Sequence, residues 1–502
     1  MQRHALLVRA FFDIAQRKGC KIMTSEKLTA IAAMEEKTDL ITYVADQIWE
    51  YAELSLQEEK SAALYCDILK KEGFTVEKGI SDIPTAFSAS YGSGRPVIGL
   101  LAEYDALSGL SQAAGSLERR EIVPGGCGHG CGHNLLGAGA FAAALGVKAY
   151  LEATPTPGTV IFYGCPGEEG GAAKAFMARE ELWRGLDAAL TWHPDDVNEV
   201  LTGSNNACIQ TQYKFTGVAA HAAGDPDLGL SALDAVELMN IGVQFLREHM
   251  SDRARIHYAI TDAGGRSANV VQPKASVLYM VRSNRVAEAV ELQARVDKIA
   301  QGAALMTETT FEKQFIDGTA DTVTKHVLEK ALYRNFEELG VPAHTEEELA
   351  FADALAKTYE GSDRVPSVAA GYDMDIAEQV RAMQAAAGHA MNDFLAPLYQ
   401  GDAFQAGSTD VGDVSWQCPV AQIHVAAWPN GSPGHSWQNV SCGHTALGHK
   451  AAVHAGKVLA ATAIDLLTDV SLLEEAKAEF VKRTKEGYTC PIPADAVPVI
   501  PE

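Results

Sequence analysis

The stretch GCGHGCGHN, residues 126–134, sets two cysteines and two histidines among glycines. Within it, Cys131 and His133 form a Cys-x-His pair. Two residues apart in a loop, both side chains can reach one small site, and thiolate with imidazole suits zinc and other borderline first-row metals. On these residues alone, a glycine-rich turn around free thiols and a disulfide both stay open. A second signal is Glu168–Glu169 in PGEEGG. Adjacent carboxylates on a turn point in different directions, so one can hold a metal while the other takes a proton from attacking water. A solvated turn is the plainer reading of such a pair. Asp105 closes VIGLLAEYD, His193 closes DAALTWH, His435 lies in GSPGHSWQN, and His221 lies in GVAAHAAGDP. His193 also reads as a core histidine, and His221 as a surface one.

The elements ahead of these groups argue for convergence. VIGLLAEYD is a continuous apolar run ending in acids, as a buried parallel strand with a functional C-terminal end would be. GTVIFYGCPG runs into Glu168–Glu169, and DAALTWHP ends on His193. A small-residue helix, LGAGAFAAALGVKAYL, lies between. This alternation predicts an α/β fold with a doubly wound mixed sheet, and in such sheets sites gather at the C-terminal strand ends. From ACIQTQYKFTG to TTFEKQFIDG the order becomes βαββαβ, which predicts a four-stranded antiparallel sheet with two helices. The expected organisation is an N-terminal extension over 1–33, a discontinuous catalytic domain over 34–206 and 319–502, and an inserted lid or dimerisation domain over 207–318. Strands are expected near GDVSW and VAQIHVAAW, then a closing helix, GHKAAVHAGKVLAATAIDLL.

The 502 residues are 47% hydrophobic, enough for a large core and more than one domain. A net charge of −24 argues against nucleic-acid binding, which needs clustered Lys and Arg. Nine scattered cysteines suit reduced thiols and a cytoplasmic location better than a disulfide scaffold. No apolar run approaches the roughly 20 residues of a membrane helix, so no membrane association is expected. The first 33 residues carry six basic and two acidic side chains but lack the apolar core of a secretory signal.

In order along the chain, LLAEYDAL, GHGCGHNLLGAGAFAAA, PGEEGGAAKAFM, DAALTWHP, GVAAHAA, NVVQPKASVLYMVR, GSTDVGDVSW and PGHSWQ resemble the two-metal amidohydrolases of the aminoacylase/carboxypeptidase type. The branch resembled carries Cys-Gly-His in its metal motif, as in auxin-conjugate and hippurate hydrolases. The resemblance spans residues from about 35 to 470. It implies two divalent ions, zinc or manganese, held by Cys131, His133, Glu169, His193 and His435. It implies Glu168 as general base, Asp105 orienting a ligand, and His221 stabilising the oxyanion from the small domain of a neighbouring subunit. Asn269 and Arg282 match substrate-contacting positions. Trp437 stands where many relatives have proline, so the choice of His435 over His444 and His449 rests on the His-Ser pair. The implied reaction is hydrolysis of the amide of an N-acyl amino acid, p-aminobenzoyl-glutamate foremost. Dipeptides or other N-acyl amino acids are the alternative. The implied assembly is a homodimer, with a paralogous partner subunit as a further option. Two rival readings are a non-catalytic partner subunit and a hydrolase using Cys131 as nucleophile. The first predicts missing ligands, yet all five and Glu168 are present. The second predicts resistance to chelators.

Overall fold

VIGLLA becomes a strand buried on both faces, because apolar side chains on consecutive positions can be covered only between two layers. It is one of seven strands in the larger sheet of the computed structural model, which describes residues 23–366, 374–401 and 403–500. These are β1 (Thr75–Lys78), β2 (Phe87–Ser93), β3 (Val97–Ala102), β4 (Gly158–Gly164), β5 (Ala188–Asp195), β6 (Glu199–Val200) and, from far along the chain, β13 (Val420–Ala426). Their order is β1-β2-β4-β3-β5-β13-β6. The central pairs β4–β3, β3–β5 and β5–β13 are parallel, while β1–β2, β2–β4 and β13–β6 are antiparallel. The sheet is therefore mixed, and the C-terminal ends of β3, β4 and β5 open on one edge.

The helix His133–Ala153 lies against this sheet and packs on the helix Ala446–Thr468. Glycine and alanine along their contact let the backbones approach. A Cβ on Gly139 would sit 2.4 Å from Nε1 of Trp192, and one on Gly456 would sit 2.6 Å from Cβ of Ala142. The indole of Trp192, in β5, donates to the Leu136 carbonyl at 2.8 Å and ties helix to sheet. Both helices are long and apolar enough to cross a membrane, contrary to the expectation from the sequence, but 83% and 72% of their apolar windows are buried inside the fold. They are core helices.

The second sheet contains β8 (Ala207–Thr216), β9 (Arg255–Asp262), β10 (Lys274–Ser283) and β11 (Thr310–Thr319), in the order β11-β8-β10-β9 and antiparallel throughout. The helices Ala232–Leu246 and Val286–Thr307 complete the βαββαβ order and bury Met239, Val243 and Val296 in a separate core. A third, two-stranded sheet pairs β7 (Ser204–Asn205) with β12 (Phe404–Gln405).

Two expectations need correction. The helix Ser25–Glu36 falls within the supposed extension over 1–33, but it buries Leu28, Ile31 and Met34 in the main core. Its Lys27, counted as part of a basic tail, is buried and donates to Asn335 Oδ1 at 2.6 Å while pairing with Asp465 at 2.7 Å. The folded body thus starts ahead of Met34, and residues 1–22 lie outside the described residues. GDVSW is not a strand. Val411–Ser415 is a short helix in which the Ser415 hydroxyl donates to the Gly412 carbonyl and the Asp413 carboxylate accepts from Ala320 N–H and Tyr488 O–H.

Candidate metal centre

Beyond β3, Glu103 and Asp105 project on one side of the extended chain, while the intervening Tyr104 donates its hydroxyl proton to the Thr85 carbonyl. Asp105 is buried and fully used. Ser55 O–H donates to Oδ2 at 2.8 Å, Glu169 N–H donates to the same oxygen at 2.9 Å, and His133 Nδ1 lies 2.8 Å from Oδ1. A carboxylate only accepts, so His133 carries a proton on Nδ1 and directs Nε2 into the site. His193 is oriented in the same way, with Nδ1 2.7 Å from the Pro194 carbonyl oxygen and Nε2 3.4 Å from the Cys131 sulfur. Gly132 makes this convergence possible. At φ 77° it turns the chain sharply between Cys131 and His133, and a Cβ there would lie 2.7 Å from Pro194.

The converging atoms form trios. Cys131, His133 and His193 place one ligand atom each within 4.8 Å of one another, and so do Cys131, Glu169 and His435. Cys131 belongs to both. His435 comes from the loop after β13, adopts φ 53°, and sets Nε2 3.6 Å from Glu169 Oε1. Glu169 Oε1 and His133 Nε2, the latter 3.3 Å from Glu103 Oε2, are buried and make no hydrogen bond. Burying such atoms is costly unless something binds them. A divalent cation fits both orphans, and one thiol, three imidazoles and a carboxylate are a donor set for a borderline metal.

Glu168 is not in these two trios. Its Oε2 lies 3.9 Å from His133 Nε2, and Glu103, His133 and Glu168 form a third cluster. Burial, then the neighbouring Glu103 carboxylate, raise the Glu168 pKa well above the usual carboxylate range. Burial also pushes up the Cys131 thiol. Burial opposes the ionisation of Asp105, but His133 beside it holds the carboxyl down at about 2. Burial, then the neighbouring His133, lower His193 to about 4, so its imidazole is neutral and available as a ligand at pH 7.

Sequence reading passed over several groups in this wall. Lys174 is fully buried and bridges Glu103 at 2.7 Å and Asp410 at 2.5 Å. His424 of β13 sits 3.0 Å from both Asp195 and Glu199. Burial opposes charge on this ring, but the two carboxylates raise it to about 10. The alternation of Glu103 with Asp105 was a usable signal. Lys174 and Asp410, 236 positions apart, offered none.

Cys131, His193 and His435 of the trios line two cavities. One, of about 550 Å³, is lined by Glu168, Glu169, His193 and His435, and reaches Arg282 of β10 in the small domain. The other, of about 460 Å³, shares Cys131, His193 and His435 and adds Arg364 and Trp428. His221 and Asn269 line neither. They sit side by side on the small domain, where the Asn269 carbonyl accepts from Ala222 N–H, and the His221 ring accepts through Nδ1 from Gly224 N–H at 2.9 Å. His129 is buried against the Ile48 carbonyl, and His444 and His449 share the Asp46 carboxylate, so none of the three belongs to a trio.

Residues 99–392 match the model of peptidase family M20/M25/M40. The chain belongs to this family. A relative, one of the subunits of p-aminobenzoyl-glutamate hydrolase from Escherichia coli (strain K12), is 45% identical over 93% of this chain and 97% of its own. Like other M20/M25/M40 proteins, the chain is a metal-dependent amidohydrolase. Its fold is similar to that of a putative aminohydrolase from methicillin-resistant Staphylococcus aureus, with a TM-score of 0.58 and 16% identity over 88% of this chain and 99% of the other. It is also similar to a dinuclear metal-binding M20 peptidase of Bacillus subtilis, with a TM-score of 0.52 and 17% identity over 87% of this chain and 100% of the other.

Proposed function

We propose that the chain hydrolyses p-aminobenzoyl-glutamate to p-aminobenzoate and glutamate, using two divalent cations held by Cys131, His133, Glu169, His193 and His435. The observation that carries this reading is the pair of ligand trios sharing Cys131, whose Cys131, His193 and His435 line two adjoining cavities. An amide whose two halves fill the two cavities has its C–N bond at the trios. The name of the 45%-identical relative supports the substrate.

When bound, the cations supply Lewis acidity and a low-pKa water at neutral pH. Glu168, beside the trios, takes the proton from the attacking water and returns it to the departing amine. Burial beside Glu103 raises its pKa, the direction that strengthens a carboxylate as a base. Asp105 holds His133 in the ligating tautomer. Arg282 reaches the cavity and binds a substrate carboxylate. Zinc and manganese both suit this donor set. Cys131 as a nucleophile is disfavoured by its place in both trios, where its sulfur is taken up in holding the cations.

His221 acts on the oxyanion of a neighbouring subunit. Its exposure and its place outside the lining of both cavities of its own chain favour this arrangement. The small domain also presents Ile241, Phe245, Leu305 and Met306 to solvent, an apolar face suited to a second copy or to a paralogous subunit. All eight described cysteines are free thiols, which supports a cytoplasmic location.

The test is Glu168→Gln. Metal content is expected to stay at two ions per chain, while turnover of p-aminobenzoyl-glutamate falls by about 10² to 10⁴. Substantial turnover in this variant, or no hydrolysis of the substrate by the metal-loaded wild type, rejects the assignment. Light scattering should give at least twice the chain mass, and a monomer that retains full activity removes the role of His221 across subunits.

A further inference from the structure

A third cavity, about 760 Å³, lies between the small domain and the body and is separate from the metal trios. Four arginines line it: Arg253, Arg255, Arg285 and Arg483. They come from three parts of the fold. Arg253 and Arg255 flank the start of β9, Arg285 precedes the helix Val286–Thr307, and Arg483 ends the helix Val470–Arg483 of the body. Such a gathering is unexpected in a chain with 65 acidic and 41 basic residues.

Their charge is only partly neutralised. The side chain of Arg253 makes no hydrogen bond or ion pair among the described residues. Arg255 is pinned through Nη1 to the backbone carbonyls of Asp252 and Ala254, at 2.6 and 2.7 Å, which fixes the guanidinium without cancelling its charge. Arg285 pairs with Glu486 and lies over the Trp416 ring, and Arg483 pairs with Glu479. The acidic groups in the lining are Asp252 and Asp321; Asp321 lies 4.0 Å from Arg285 Nε and accepts from Val286 N–H at 2.7 Å, so the pair Arg253 and Arg255 carries the unpaired charge.

The geometry points to a binding site for a small anion carrying two or more carboxylate, sulfate or phosphate groups, held by Arg253 and Arg255 and bridged to the body by Arg285 and Arg483. Guanidinium forks match such groups in pairs. The cleft also shares Gly203, Ser204 and Thr322–Thr324 with the 550 Å³ cavity, and β10 delivers Arg282 to that cavity three residues before Arg285 enters the cleft. An anion here touches the same segments that line the reaction cavity and clasps the two domains together.

Calorimetric titration of the metal-loaded, full-length protein with tricarballylate and with sulfate, at ionic strength fixed with chloride, tests this directly. Saturable binding is expected for at least one probe. It should weaken about tenfold or more in Arg253→Ala/Arg255→Ala and stay unchanged in the surface control Arg119→Ala. No saturable binding by either probe overturns the inference, and so does binding that survives the double variant. Steady-state kinetics then separate two sources of the anion. If the double variant raises KM for p-aminobenzoyl-glutamate, the cleft takes a carboxylate of the substrate itself. If KM is unchanged and the probe binds alongside substrate, the anion is a separate ligand. Because binding is read without turnover, failure of the cleft and failure of the amidase reading give different results.

Discussion

Cys127 and Cys131 lie four positions apart in one loop, yet only Cys131 joins a ligand trio among the described residues. Cys131→Ser should therefore remove most bound metal and activity together, whereas Cys127→Ser should change neither by more than about twofold. Elemental analysis alongside hydrolysis rates checks both, and equal losses would mean that the two thiols share the metal. Residue types made this loop conspicuous in the sequence, but not which of its four soft side chains converge. That depends on Gly132 and on His193, which arrives from another strand. Glu103 was legible in principle, since Glu103 and Asp105 share one side of an extended segment. Lys174 was not, because a lysine among GGAAKAFM looks like a solvated helix position until Glu103 and Asp410 close around it.

The strand ends, read as elements, were the most legible feature. Apolar runs that stop at acids or at histidine became β3, β4 and β5, and the site lies at their C-terminal edge. Short segments were harder. Val411–Ser415 alternates well enough for a strand, but carboxylate and hydroxyl bonds to neighbouring backbone make it a helix. The start of the body was misjudged because Lys27 counts as polar, and its partners Asn335 and Asp465 are far away in the chain. The helix His133–Ala153 depends on the left-handed turn at Gly132. Gly132→Ala should cost about 1–2 kcal/mol in backbone strain alone and more through contact with Pro194. Chemical denaturation would show the loss, and metal affinity should fall with it because Cys131 and His133 no longer face one point. Wild-type affinity in that variant would separate the turn from the site.

The whole molecule carries buried titratable groups remote from the metal centre, and His454 is one with a defined pH window. Burial lowers it to about 4, with Nε2 2.8 Å from the Gly340 carbonyl oxygen. Above pH 6.5 the ring is neutral both folded and unfolded. Below 6.5 the unfolded chain takes up a proton that the folded chain refuses, so this residue's contribution to stability is lost between pH 6.5 and about 4. The loss reaches about 3 kcal/mol at most. Urea denaturation of chelator-treated protein at pH 7 and pH 5 should show a shallower decline for His454→Gln than for wild type, and equal declines would place the acid sensitivity elsewhere. The pairing of the helices His133–Ala153 and Ala446–Thr468 also bears on biosynthesis. Roughly 300 residues separate them, so at about 5–20 residues per second the first helix waits some 15 to 60 s for its cover. The small domain, whose strands lie within residues 207–319, can close during that interval. During that interval one face of a long apolar helix stays uncovered on the growing polypeptide, a client for whatever shields nascent chains until Ala446–Thr468 emerges.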